Sequence, residues 1–551
     1  MTDPSAAIAR LADDYWEAHL KANPTEAHLL GRTEFAGEYE SATRVDEDAW
    51  IGHLRAYAEG AAALTGLDDD DSVTQAVVIA DATARADLAE SRLSEIGADP
   101  LFGPQAMTAV VFGMFNVPDA EVADAMLGKI EGLGRWYQEY AVRQLDGLAA
   151  GRVSAAFAVD GTLAQIDAYL AGDLASDPIV ASIQAPAEVD SPAWRAALRE
   201  AVATHVRPGM QAYRGALAQV RPAARSDDEA GLCALPDGDA AYAATLRYFT
   251  TTDLSAQQIH EIGLQQVEKL ADEYRTLGGQ VLGTSDLSEI FEKMRTDPAL
   301  HFETGQQLVE ASERAMAKAW AAMGDWFEVL PQAPCAVEGT ESGAKAFYFP
   351  PAADGSRGGS FFINIDDPSS WGTFELEAMA YHEGIPGHHL QLAIASELPD
   401  SVPSIRKYAE TAAYAEGWGL YTERLADEMG LYTTGIDRLG MLSADSMRAC
   451  RLVVDTGLHA LGGSRSQAVD YMMANSPLTR GVCQPEVDRY LVTPGQACSY
   501  MIGRLEILRM RAEAQERQGS RFDIKAFHSA VLDSGTLPLN VLDQVVRRRL
   551  P

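Results

Sequence analysis

Apolar residues recur at helical spacing through most of this chain, and that property decides its fold class. Residues 255–277 show it plainly. Ile259, Ile262, Val267, Leu270, Tyr274 and Leu277 fall near a 3.6-residue period, behind the capping-box pair Ser255 and Gln258 and ahead of Gly278-Gly279. Such a pattern does not suit strands, whose side chains change face at every residue. Similar runs occupy 5–22, 73–95, 119–149, 195–221, 306–327, 404–429, 440–461 and 498–517. Breaks rich in Pro, Gly and acidic residues fall at 184–193 and 222–239, and Asp68 to Asp71 reads as a solvated loop. The expectation is a mostly α protein without internal repeats.

One stretch departs from the helical period. Phe347-Tyr348-Phe349 stops at Pro350-Pro351, and a Gly-rich turn through Gly358-Gly359 leads into Ser360–Ile365. There Phe361, Ile363 and Ile365 alternate with Phe362 and Asn364, the signature of a half-buried strand. A small β hairpin is predicted, just upstream of the most informative residues.

Charge then limits the partners. Across 551 residues, 44 Lys and Arg stand against 80 Asp and Glu, a formal charge of −36. That balance excludes a protein that works by neutralising phosphates, and it excludes electrostatic docking on an anionic membrane. A negative field favours cationic over acidic substrates only mildly, and salt weakens it. The N-terminus lacks the basic and apolar regions of a secretory signal, and no uninterrupted apolar stretch approaches membrane-spanning length. The five cysteines, Cys233, Cys335, Cys450, Cys483 and Cys498, form no C-x-x-C pair. They read as small buried hydrophobes in a reducing cytoplasm, so the expected localisation is cytoplasmic.

The chemistry concentrates in Tyr381-His382-Glu383-Gly384-Ile385-Pro386-Gly387-His388-His389. Imidazole is a common zinc ligand, and a neighbouring Glu can serve as general base. In the usual H-E-x-x-H helix the two histidines share a face one turn apart, but here Pro386 stands where the second would fall. On a regular helix His388 would lie about 120° out of phase with His382, and His389 would be in phase but about 10.5 Å further along the axis. Pro386 cannot continue the hydrogen-bond ladder and Gly387 tolerates unusual dihedrals, so a backbone bulge is expected to return the second histidine toward the first. The spacing leaves open whether His388 or His389 is that ligand.

A third ligand is needed. Glu416 sits in an apolar setting with Ala412, Ala413, Ala415 and Trp418, where an isolated carboxylate is costly unless paired or metal-bound. Glu423, two turns on, shares its face and suits a supporting role behind a ligand. Arg451, Asp455 and His459 form one i, i+4, i+8 stripe among Leu452, Val453, Val454 and Leu458, in which Asp455 would orient His459 or complete a buried ion network. Gln496, Tyr500 and Arg504 share another face, and Tyr500 is placed to donate its hydroxyl to an oxyanion. Arg451 and Arg504 are candidate partners for a substrate carboxylate.

The runs YHEGIPGHHLQ, AEGWGLYTERLADEMG, RLVVDTGLHALGGSRSQAVDYM and PGQACSYMIGRLEI resemble, in order over 360–515, a widespread bacterial family known as domain of unknown function 885. That family is similar to the helical zinc peptidases that pair H-E-x-x-H with a later Glu, the group of thimet-type oligopeptidases, thermostable-type carboxypeptidases and angiotensin-converting enzyme. The resemblance implies a large helical metallopeptidase-like fold with a small sheet beside a central cleft. Its parts would be an N-terminal helical region, 1–240, and a metal-binding region, 241–551, in one continuous unit. It implies zinc held by His382, His388 and Glu416, with Glu383 as general base and His389 as a neighbour. It further implies that His459 and Tyr500 stabilise the transition state, and that the hairpin ending at Asn364 is an edge strand for an extended substrate. The expected activity is zinc-dependent hydrolysis of short peptides. Two alternatives are a metal-dependent amidohydrolase acting on a non-peptide amide, and a degenerate protein that binds peptide or metal without turnover.

Overall fold

A computed structural model describes residues 3–341, 344–351 and 357–551. The chain divides into two compact units. One comprises Met1–Thr65, Ala82–Ala244 and Gly462–Arg465, and the other Gly66–Asp81, Thr245–Leu461 and Ser466–Pro551. The units are thus interleaved in sequence, where two successive regions were expected.

The first unit has helices and no strand among its described residues, with Ala120–Ala149 and Arg207–Val220 packed together around Leu133, Tyr137, Tyr213 and Leu217. The run predicted over 195–221 is not one regular helix. Pro208 has no N–H to give the preceding turn, and Val202–Val206 widens to i→i−5 spacing between Pro192–Ala201 and Arg207–Val220.

The second unit carries the site. Its positioning elements are α1 (Ala256–Val281), α2 (Gly305–Trp326), β1 (Cys335–Thr340), β2 (Ala346–Phe349), β3 (Gly359–Asn364), α3 (Glu375–Glu383), α4 (His388–Ser396), α5 (Ala412–Glu428), α6 (Gly435–His459), α7 (Arg480–Val492) and α8 (Ser499–Gln518). In α1 the capping box forms as predicted, with Ser255 and Gln258 each satisfying the other's backbone N–H. The helix then runs past Gly278-Gly279 to Val281. Gly278 is not its end but a packing site, since a Cβ there would lie 2.3 Å from Ile290. The helix predicted over 404–429 is interrupted between Ser404–Tyr408 and Ala412–Glu428. Arg406, buried at the break, donates to the Ser534 carbonyl and to Asp70, so tertiary contact overrides the period.

The sheet has three strands in the order β1-β3-β2. β2 pairs antiparallel with β3, Tyr348 opposite Phe361 and Phe347 opposite Phe362, as the hairpin pattern predicts. Part of its connecting turn, 352–356, lies outside the described residues. β1 was not anticipated and pairs parallel with β3, Val337 opposite Phe361. The inward face of β3 puts Phe361 and Ile363 in the core, with Ile363 in a cluster with Leu308, Trp371 and Leu376. No helix among the described residues is long and apolar enough to cross a membrane.

Candidate metal centre

Helix α3 stops at Glu383, residues 384–387 form a tight bend, and α4 begins at His388. The Ile385–Pro386 peptide within the bend is cis. The His389 N–H donates to the Gly384 carbonyl at 3.1 Å and closes the bend. Gly387 packs on the end of α3 so closely that a Cβ would fall 1.9 Å from the His382 carbonyl oxygen. This bend accounts for the altered spacing, because it folds the second histidine back until the His382 and His388 rings lie 4.7 Å apart at 85°.

Helix α5 supplies the third group. Nε2 of His382 and Nε2 of His388 each lie 3.4 Å from the same Oε2 of Glu416. One nitrogen from each histidine and one Glu416 oxygen all fall within 4.8 Å of one another. Room for the first histidine is made on α5 itself: at Gly419 a Cβ would stand 2.7 Å from the His382 ring. The His382 side chain is 2% exposed, and those of His388 and Glu416 are 12% and 22% exposed, so the donors line a recess that still meets solvent.

The electrostatics favour a cation at this point. Burial disfavours a charged His382, yet its hydrogen bonds to Glu416 and Glu423 outweigh that cost and push its pKa up to about 9. Burial would likewise raise the Glu416 carboxyl, but the two histidines hold it well below the ordinary range. Glu423 takes the far nitrogen of His382, Oε1 to Nδ1 at 2.8 Å, which fixes the tautomer that presents Nε2 toward Glu416. Among the described residues, buried Oε2 of Glu423 and Nδ1 of His388 have no hydrogen-bond partner. Two imidazoles and one carboxylate suit zinc or a similar divalent ion, and three protein donors leave a coordination position for water. The residues present therefore fit the group.

Two further predicted residues border this centre. Glu383 ends α3 half-buried, close enough for its charge to act on His382. The Tyr500 ring stacks over His382 at 6.3 Å, and its phenol is pushed up by burial and by the charge of Glu416. His389 faces away from the donors. Its Nε2 donates to the Ala333 carbonyl at 3.0 Å, so its Nδ1 accepts from Tyr348 of β2 at 2.9 Å. Burial lowers its pKa. It ties α4 to the sheet and is a neighbour of the centre, as the family resemblance implies.

Other predicted roles need correction. His459 is fully buried and its Nε2 donates to the Tyr490 carbonyl at 3.0 Å, so that nitrogen has no proton to offer an oxyanion. Asp455 accepts the Gly495 N–H with both oxygens, at 3.1 and 3.3 Å, in keeping with the buried network that was one of its two expected roles. Arg451 donates to Glu486 at 2.8 Å and to the Tyr490 hydroxyl at 3.1 Å, so its charge is already matched inside the protein. The stripe thus clamps residues 486–495, the segment that delivers Tyr500. Arg504 is buried against Asp445, which Arg424 also binds, and is not open to a substrate carboxylate. Asn364 lies on β3, the central strand, whose two edges are taken by β1 and β2. Its carbonyl accepts from Trp371 and its side chain from the Asp366 N–H, so it offers no free strand edge.

Sequence reasoning missed Arg448, whose guanidinium lies 5.7 Å from the Tyr500 ring centre and 3.8 Å from Glu423 Oε1. Its position one helical turn before Arg451 was the available signal. It also missed Glu486 and Arg489 on α7, which flank the buried face formed by Cys483, Val487, Tyr490 and Leu491 and so read as ordinary solvated helix charges.

Fold and site together define a mostly helical protein with a candidate His-His-Glu metal centre at a bend between two helices. The chain belongs to the bacterial family of unknown function DUF885, whose sequence profile matches residues 24–546. Two solved structures share its fold. A putative lipoprotein from Colwellia psychrerythraea aligns over 100% of both chains with a TM-score of 0.92 and 24% identity. A putative lipoprotein of unknown function from Shewanella oneidensis aligns over 98% of this chain and 99% of its own with a TM-score of 0.76 and 18% identity. No curated protein matches the chain.

Proposed function

We propose that this protein is a zinc-dependent peptidase acting on short peptides. The observation that carries the reading is the convergence of His382, His388 and Glu416, with Glu383 next to a ligand. A bound zinc ion would acidify a coordinated water and polarise the scissile carbonyl. Glu383 accepts the proton of the attacking water and passes it to the leaving amine. Tyr500 donates its hydroxyl to the developing oxyanion. Glu423 holds the His382 tautomer throughout, and Arg448 supports the Glu423 charge.

An extended peptide would pair its main chain with the outer edge of β2, because β3 is bonded on both sides and β2 reaches His389 through Tyr348. A cytoplasmic location agrees with five cysteines that include no C-x-x-C pair, three of them buried. The test combines metal analysis of the purified chain with hydrolysis of a peptide panel, before and after chelation. About one zinc equivalent and chelator-sensitive, zinc-restored cleavage are expected. A metal-free protein that cleaves none of the panel after zinc addition overturns the reading. Cleavage of non-peptide amides alone redirects it to an amidohydrolase.

A further inference from the structure

Two side chains from different helices take hold of the bend that separates the two histidines. On a continuing helix the Ile385 N–H would reach back to the Tyr381 carbonyl. It turns instead to α2, where the Met316 sulfur accepts it at 3.4 Å. Gly384 gives that sulfur its place, because a Cβ at 384 would lie 2.1 Å from Met316 Sδ and 2.6 Å from its methyl carbon. The next peptide is held from α5. The Trp418 indole N–H donates to the Pro386 carbonyl at 3.0 Å. Ile385, Met316 and Trp418 are all buried, so each of these backbone groups would be costly to leave unmet. A thioether only accepts from an N–H and an indole only donates, so neither partner can reverse its role.

We propose that Met316 and Trp418 are positioning residues for the metal donors: they clamp the backbone of Ile385 and Pro386 and so fix the bend that returns His388 to His382. Neither side chain is itself a donor in the centre. They act through the four residues between α3 and α4, whose course decides where the second imidazole stands. A bend held in one course sets the donors before a cation arrives, so ordering them does not draw on the binding energy. The inference rests on the metal-site reading above and adds to it the support of the bend.

The test reads the arrangement of the donors as well as their affinity. The full-length chain is loaded with Co(II), whose visible bands respond to the number and geometry of its ligands. Zinc affinity is measured in parallel by competition with a chromogenic chelator. Met316→Leu keeps the volume and removes the acceptor, and Trp418→Phe keeps a ring and removes the donor. Each is expected to take up about one Co(II), to shift its visible bands from the parental positions, and to bind zinc about tenfold more weakly, the lower end for groups that support a ligand. Met323→Leu makes the same exchange at another buried position two turns along α2, and is expected to match the parent in both readouts. Side chains that merely filled space would lower the thermal midpoint in all three variants and leave the bands in place.

Parental bands and parental zinc affinity in Met316→Leu and Trp418→Phe overturn the inference. A change in only one of the two overturns the clamp, which needs both, and an equal change in Met323→Leu overturns its location. Loss of the folded state in both variants overturns it as well, since the residues would then hold the fold and not the donors. In each of these cases a parent that binds about one zinc leaves the metal-site reading standing. A parent that takes up neither metal overturns both.

Discussion

Glu423 Oε1 lies 2.8 Å from Nδ1 of His382, inside a part of the second unit where both side chains are almost wholly excluded from water. The pair turns the other ring nitrogen toward Glu416 and makes it more basic. Glu423→Gln keeps volume and an acceptor oxygen but removes the charge. Zinc affinity is expected to fall about 10- to 100-fold, measured by competition with a chromogenic chelator. Parental affinity would show that the carboxylate does not support the ligand.

The proton-transfer role of Glu383 separates chemistry from binding. Glu383→Gln is expected to retain about one zinc equivalent while peptide turnover falls by a factor of about 100 or more. Metal analysis and single-turnover cleavage measured on the same preparation check both halves. Turnover at the parental rate would exclude Glu383 as the base.

Helices α5 and α8 meet across glycines, and this contact holds Glu416 opposite Tyr500. A Cβ at Gly503 would fall 2.0 Å from the Ala413 carbonyl oxygen and 2.7 Å from Gly417 Cα, both backbone atoms that cannot turn aside. Gly503→Ala is expected to cost about 3 kcal/mol, the upper end for overpacking, read from urea unfolding of the full chain. A loss below about 1 kcal/mol would mean that the helices separate readily.

His528 gives an acid limb to stability. Its Nδ1 donates to the Trp326 carbonyl at 2.8 Å and its Nε2 accepts from the Tyr421 hydroxyl at 2.9 Å, so the neutral ring is fully satisfied. Burial pushes its pKa down to about 3. Between that value and about 6.5 the unfolded chain binds a proton that the folded chain refuses, so stability rises with pH across this window. The stabilisation is complete above about pH 6.5 and is lost on acidification, with a slope of up to about 1.4 kcal/mol per pH unit from this group. His528→Gln cannot titrate, and its stability profile from pH 4 to 6.5 is expected to be flatter by that slope. An unchanged profile would assign the acid limb elsewhere.

Much of the site could be read from the residues because local rules govern it. Pro386 and Gly387 exclude a continuous helix between His382 and His388, and one apolar turn around Glu416 makes a lone carboxylate conspicuous. The hairpin strands β2 and β3 followed from alternation, whereas β1 did not, because Cys335–Thr340 acquires its pairing only from a strand some twenty residues later. The stripe Arg451, Asp455 and His459 was recognisable as buried polar groups, but spacing cannot say what faces a stripe. Helical periodicity by itself determined the class of fold, and the residue types around 382–389 and 416 marked candidate metal donors while leaving His388 and His389 both open. Only the tertiary structure decided that His388 and not His389 meets Glu416, that His459 and Arg504 are committed to internal partners, that Asn364 lies on a central strand, and that Glu486 binds both Arg451 and Arg489. The reason is physical: a side chain's period is written within its own helix, while its hydrogen-bond partner comes from another segment brought up by packing.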